Sequence, residues 1–232
     1  YGDHRDLHYP LRRQRQMCIR DRFRDVQRGS SLPWHKDYTR PQLLKFFLPS
    51  RDSHAAAYYD WGSELETEWK ENYKLWMTFI NEYKNRGGRV TAGSDSGYMY
   101  NLYGFGFVQE LELLREAGFH PMEVIRAGTL HAAEAIGMED KIGTVEVGKL
   151  ADLILMDENP LKNLKYLYAT GDIKLDEEND VVRVGGVEKT IKDGIVYDAR
   201  LLLEDVKKIV DEEKSKTPDW KSLLYESIGR KN

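Results

Sequence analysis

Apolar positions change their spacing along this chain, and each change marks a different kind of structure. From Glu64 to about Arg86, Leu65, Trp69, Tyr73, Trp76, Ile80 and Tyr83 recur every third or fourth residue. That spacing gathers side chains onto one face of an α-helix. Ser63 with Glu66 fits a capping box at its start, and Gly87 fits the left-handed residue that closes a helix. The brief apolar run from Arg89 to Gly93 is too short for a helix and predicts a buried strand. A loop rich in tyrosine and glycine follows to about Gly106. Val108, Leu111 and Leu114 then predict a helix stopped by Gly118. Pro121 predicts the first position of another helix, where its missing N–H costs nothing. That helix carries Met122 and Ile125 and is expected to break at Gly128–Thr129, with a short continuation from Leu130 to Ile136.

From Gly143 the period becomes two. Residues 151–156 predict a strand. Val181 to Val184, Gly185-Gly186, then Val187 to Ile191 predict a hairpin, because paired glycines accept the positive φ of a tight turn. Asp193-Gly194 predicts a second turn into Ile195-Val196-Tyr197. Leu203, Val206, Ile209 and Val210 share a face and return the chain to helix. Residues 28–62 resist this reading, since Pro33, Pro41 and Pro49 interrupt any regular period.

Composition alters this picture at one end only. Residues 1–35 hold eight of the seventeen Arg and none of the eighteen Lys, so residues 1–27 form an irregular Arg-rich segment distinct from the rest. It reads as a basic arm, as a solvated linker, or as a non-native peptide of the kind seen in translated environmental assemblies, and no chemistry is assigned to it. Elsewhere, 41% apolar and 11% aromatic residues argue for a packed core. A net charge of −4 gives no footprint for nucleic acid or an anionic membrane. No apolar run is long enough to span a bilayer. The single cysteine, Cys18, permits no internal disulfide. The chain opens on Tyr1 without a basic-then-apolar signal, and its compartment is unassigned. Self-association into a homo-oligomer is left open.

Asp95 is the main candidate for chemistry. It lies just past the end of the predicted buried strand, between Gly93 and Gly97. A carboxylate at such an edge can bind a divalent cation and accept a proton from bound water. The competing reading is a turn in which Asp95 bonds its own backbone. Ser96, Gly97, Tyr98 and Tyr100 follow it and are candidate substrate-binding residues. The rings of Tyr98, Tyr100, Tyr103 and Phe105 read either as pocket wall or as packing. The six histidines, at 4, 8, 35, 54, 120 and 131, show no His-x-His and no His-Glu-x-x-His. His120 before Pro121 is explained by helix capping or exposure, and His131 by a helical surface. His35, beside Trp34, is least easily dismissed. No Gly-x-Ser-x-Gly elbow occurs, which argues against a serine nucleophile.

Four segments together carry a family likeness. Val90 to Gly97 resembles the eighth barrel strand of amidohydrolase-superfamily enzymes. Residues 110–118 and 121–133 resemble the helices that follow it. Residues 142–154 are similar to the family's return into a small β-domain, and residues 192–197 to that domain's closing hairpin. The nearest type is the imidazolonepropionase-like group. The resemblance implies an α/β fold: the last one or two units of a (β/α)₈ barrel over residues 28–142, with the seventh strand ending near Ser30–Leu32. A small β-sandwich-type composite domain would span 143–200, and a C-terminal helix and tail 201–232.

The resemblance further implies a divalent metal, zinc first, in one or two ions, and a small-molecule substrate. It also implies hydrolysis of a cyclic-amide-like C–N bond or a related dipeptide bond. Of the family's metal ligands only the aspartate maps here, onto Asp95, so the chain alone is expected to be inactive. A non-catalytic scaffold is the alternative. Asp152, in the β-domain part of the likeness, is expected to be structural.

Overall fold

The computed structural model describes residues 32–48, 62–97 and 100–226. The Arg-rich segment 1–27, the expected strand end at Ser30–Ser31, Pro49, His4, His8, His54 and Tyr98 lie outside the described residues. The chain is mixed α/β and divides into two compact units.

The first unit holds the described residues up to Phe79, residues 95–102, and the chain from Lys207 onward. Its first elements are α1 (Pro33–Tyr38) and α2 (Pro41–Phe47). The prolines that obscured this region in the sequence start these helices rather than break them, because a first-turn N–H has no helical acceptor to lose. Leu44 and Phe47 from α2 meet Tyr100 and Leu223 in a buried cluster, Leu223 coming from α8 (Trp220–Glu226), the helix after α7 (Ala199–Ser215). His35 is fully buried, with its Nδ1 2.8 Å from the Thr39 hydroxyl and its ring edge-on to Tyr100. The helix α3 (Ser63–Asn85) runs from this unit into the other. Ser63 is already helical, and the Gly62 carbonyl before it accepts the Glu66 N–H, so the expected capping box starts one residue too late.

The second unit holds residues 80–94 and 103–206. The end of α3 closes with a paired motif: Gly87 N–H bonds Lys84 O and Gly88 N–H bonds Tyr83 O. The next helix, α4 (Gly106–Glu116), ends identically, with Gly118 N–H on Arg115 O and Phe119 N–H on Leu114 O. In both motifs the glycine has positive φ, 85° and 96°, which a Cβ disfavours. Pro121 opens α5 (Pro121–Gly128), and the Glu123 carboxylate turns back to accept the His120 N–H at 2.7 Å. The predicted break falls at Thr129, and α6 (Leu130–Ala135) follows. Leu114, Phe119, Val124 and Ala127 are almost completely buried in this helical layer.

The run from Arg89 to Gly93 does not form a laddered strand; no element is assigned between α3 and α4 among the described residues. A strand is a cooperative product of neighbours, and what this segment meets in the second unit is helical. The Ala92 N–H donates to Ala127 O at 3.0 Å.

Two small antiparallel sheets complete the unit. One has the order β1 (Leu153–Leu155), β4 (Lys189–Lys192), β5 (Ile195–Asp198); the other pairs β2 (Asp172–Leu175) with β3 (Val181–Val184). The Asp193-Gly194 turn joins β4 to β5 as expected, with φ of 51° and 78°. The expected hairpin at Gly185-Gly186 is not formed. β3 pairs back onto β2 through a turn at Asp176–Asp180, whose Asp176 carboxylate accepts two backbone N–H groups. The glycine pair instead carries the chain from one sheet to the other. A Cβ on Gly185 would stand 2.7 Å from the Tyr166 ring, so the crossing is too close for any side chain.

Ile154, Leu155, Ile195, Val196 and Tyr197 in the three-stranded sheet remain exposed. Exposed apolar side chains on a small open sheet favour association. The isolated 232-residue chain is therefore expected to self-associate with rising concentration; a monomeric, cooperative melt across a hundredfold concentration range would count against this.

Candidate functional site

The segment leading to Asp95 is anchored before it reaches the loop. Val90 is buried, its carbonyl lies 3.2 Å from Nδ1 of His131, and Ala92 N–H is held by Ala127 O. Asp95 then adopts φ 49°, the left-handed region. Aspartate tolerates that conformation better than most side chains. Gly97 follows at φ 98°, its N–H donating to Asn101 O at 2.7 Å, and Ser96 Oγ donates to Leu102 O. A tight loop thus places Asp95, Ser96 and Gly97 together, with the Asp95 side chain exposed. Among the described residues, none makes a hydrogen bond or ion pair with the Asp95 carboxylate.

The aromatic residues of the loop separate. Tyr100 is 2% exposed, its hydroxyl donates to Phe47 O at 3.3 Å, and its ring lies 5.0 Å from that of Phe47. Of the two readings of this ring, pocket wall or packing, its surroundings favour packing. Tyr103 is 78% exposed, while Phe105 is buried and stacks on Tyr168. The histidines separate too. His35 is a core residue, His120 sits exposed at a helix start, and His131 is half-buried against the Val90 carbonyl. His131 had only the look of a helical surface residue in the sequence; spacing carries no signal for its contact forty-one residues away.

No group of three or more His, Cys, Asp or Glu side chains among the described residues stands close enough to hold a metal. One exposed carboxylate does not make a zinc site, which takes about three protein ligands. The described residues therefore do not by themselves fit the implied metal. Asp152 spends both oxygens on structure: one takes the Lys192 ammonium and the other the Asp193 N–H, pinning the β4–β5 turn. The Lys192 ammonium in particular holds the Asp152 carboxyl below its usual range.

Glu112 on α4 is a titratable group shifted by packing. Burial pushes its carboxyl above the ordinary value of 4.5, against the opposing effect of the Tyr168 hydroxyl that donates to it at 2.7 Å. Lys165 also opposes the rise, and Asp172 adds to it. Because the folded value is raised, Glu112 favours the fold at low pH, and this contribution is lost as pH rises through the folded value. Glu112→Gln keeps an acceptor for Tyr168 and removes the charge. It is expected to be more stable than the parent at neutral pH, with the gap closing as pH falls toward 4.5. Denaturant melts at several pH values check this, and a gap independent of pH would refute it.

Residues 76–196 match the model of the amidohydrolase family, and that stretch is just over half of the chain. This chain belongs to the amidohydrolase family. Within the family, it is 40% identical over 75 residues to an imidazolonepropionase of Symbiobacterium thermophilum, an alignment covering 30% of this chain and 16% of the relative. It is 44% identical over 52 residues to a 5'-deoxyadenosine deaminase of Methanobrevibacter smithii, covering 22% of this chain and 12% of that protein. The chain thus spans about a sixth of the length of the curated amidohydrolase relatives it matches. Among solved structures it resembles a putative prolidase from Bifidobacterium longum, with a TM-score of 0.48, 23% identity, and coverage of 71% of this chain and 37% of that one. Asp95 and its loop lie inside the matched stretch.

Proposed function

We propose that this chain is the C-terminal part of an amidohydrolase that cleaves C–N bonds in a small, cyclic-amide-like substrate, with a related dipeptide bond as the neighbouring possibility. The observation that carries this reading is the family match over residues 76–196, which includes an exposed carboxylate in a tight loop at the end of an anchored segment. Several of the relatives bear the name imidazolonepropionase, which supports the cyclic-amide class. The α/β units before and after Asp95 would be the last of a (β/α)₈ barrel, and residues 143–200 its small β-domain.

Asp95 is the residue this chain would bring to the chemistry. A carboxylate with free lone pairs can take a proton from attacking water and return it to the departing nitrogen. Ser96 and Gly97, in the same loop, would border the substrate, with Tyr98 beside them. A divalent metal, zinc by the family likeness, would need donors beyond the described residues. The test is hydrolysis of a panel of cyclic amides and dipeptides by the full-length protein, with Asp95→Asn as the comparison. Turnover of no panel member, or turnover unaffected by the substitution, would overturn the reading.

A further inference from the structure

The loop that begins at Asp95 returns to the interior at Tyr100, and residues 95–102 belong to the same unit as α1, α2 and α8. Tyr100 has φ of 60°. For a bulky side chain that conformation is an outlier, and it persists only where the surroundings over-determine it. Those surroundings are a core. The Tyr100 ring lies 5.0 Å from that of Phe47 and edge-on to His35 at 5.6 Å, in a buried cluster with Leu44 and Leu223. Its hydroxyl donates to Phe47 O at 3.3 Å, and His35 is itself held 2.8 Å from the Thr39 hydroxyl. Two hydrogen bonds then join this arm of the loop to the arm that carries Asp95. Gly97 N–H donates to Asn101 O at 2.7 Å, and Ser96 Oγ donates to Leu102 O at 3.4 Å. Asn101 is 3% exposed, so the acceptor arm is packed as well as bonded.

We propose that Tyr100 is a positioning residue for Asp95. Its buried ring fixes the returning arm, and the two bonds across the loop carry that constraint to the backbone on either side of Asp95. This rests on the reading of Asp95 as the acting carboxylate. The Asp95 side chain is exposed, so its placement follows from the backbone that bears it. An anchor of this kind acts on turnover through geometry: a displacement of about 1 Å at a reacting group costs up to about a hundredfold in rate.

Two substitutions test it in the full-length protein. Tyr100→Phe keeps the ring and removes the hydroxyl, whereas Tyr100→Leu removes the ring. Tyr100→Leu is expected to lower kcat by about tenfold to a hundredfold with KM changed less than about threefold. Tyr100→Phe is expected to keep kcat within about threefold of the parent. Equal losses of kcat in both variants, or a loss carried mainly by KM, would assign Tyr100 to substrate binding and overturn the positioning role. Hydrogen exchange needs neither substrate nor a folded leucine variant. In the unsubstituted protein the Gly97 amide should be protected and should open together with the Leu44 amide of α2 as denaturant is added. Rapid exchange at Gly97 while Leu44 stays protected would overturn the anchor. If Asp95→Asn abolishes hydrolysis but Tyr100→Leu leaves kcat intact, the positioning role fails alone. If Asp95→Asn leaves hydrolysis intact, it is the Asp95 reading that falls, and the positioning role with it.

Discussion

Asp95→Asn is expected to lower kcat for C–N hydrolysis in the full-length protein by about a hundredfold to ten-thousandfold, the usual contribution of one general acid–base group. The exchange is chosen for what it leaves alone. Asparagine tolerates the left-handed φ of 49° as aspartate does, so the loop keeps its backbone. No described residue bonds the carboxylate, so no buried partner loses a hydrogen bond. The thermal midpoint should therefore stay with the parent while turnover collapses. If turnover and stability fall together, the carboxylate holds the loop and does not act on substrate; unchanged turnover would remove Asp95 from the chemistry altogether.

Gly143→Ala is expected to cost about 2–5 kcal/mol of stability. Two costs add. Gly143 has φ of 96°, where any Cβ is strained by about 1–2 kcal/mol. The new Cβ would also stand 2.7 Å from the Ala133 Cβ and 3.2 Å from the Leu130 Cα, at the point where the chain leaves α6 for the β-layer. Backbone cannot step aside as a long side chain can, so overpacking adds about 1–3 kcal/mol. Gly148 separates the two costs: its φ is also 96°, and nothing lies within 4 Å of where its Cβ would be. Gly148→Ala should show the strain alone. Equal losses at both positions in denaturant melts would remove the packing argument, and no loss at either would remove the strain.

These effects can be placed because much of the local structure follows from local chemistry. Gly87 and Gly118 end their helices as the sequence predicts, since only a residue without Cβ reaches that conformation freely. Pro121, the Thr129 break and the Asp193-Gly194 turn fall where they were expected for the same kind of reason. Pro33 and Pro41 start helices where the sequence pattern shows only interruptions, because proline stops a helix from within but starts one from its first turn, and position in the sequence does not say which.

The partner of β3 differs from the expected one for another reason. Gly185-Gly186 permits a tight turn, but positive φ equally permits a crossing, and β2 offered a neighbour with only two apolar residues to announce it. Asp95 was legible as a candidate from its place after an apolar run among small residues. Its exposure, the packing of Tyr100 into a core, and the docking of Val90 on His131 were not.

The sequence by itself determined the helices between residues 63 and 215, the glycines that close two of them, the β4–β5 turn and the family to which residues 76–196 belong, because each rests on contacts between near neighbours or on a linear pattern. Only the tertiary structure decided which strands pair, that residues 89–93 dock on a helix break instead of a ladder, and which histidine touches the Asp95 segment. Those outcomes depend on separate segments, as far as forty-one residues apart for His131 and Val90, competing for the same hydrogen-bonding edges, and no local spacing records that competition.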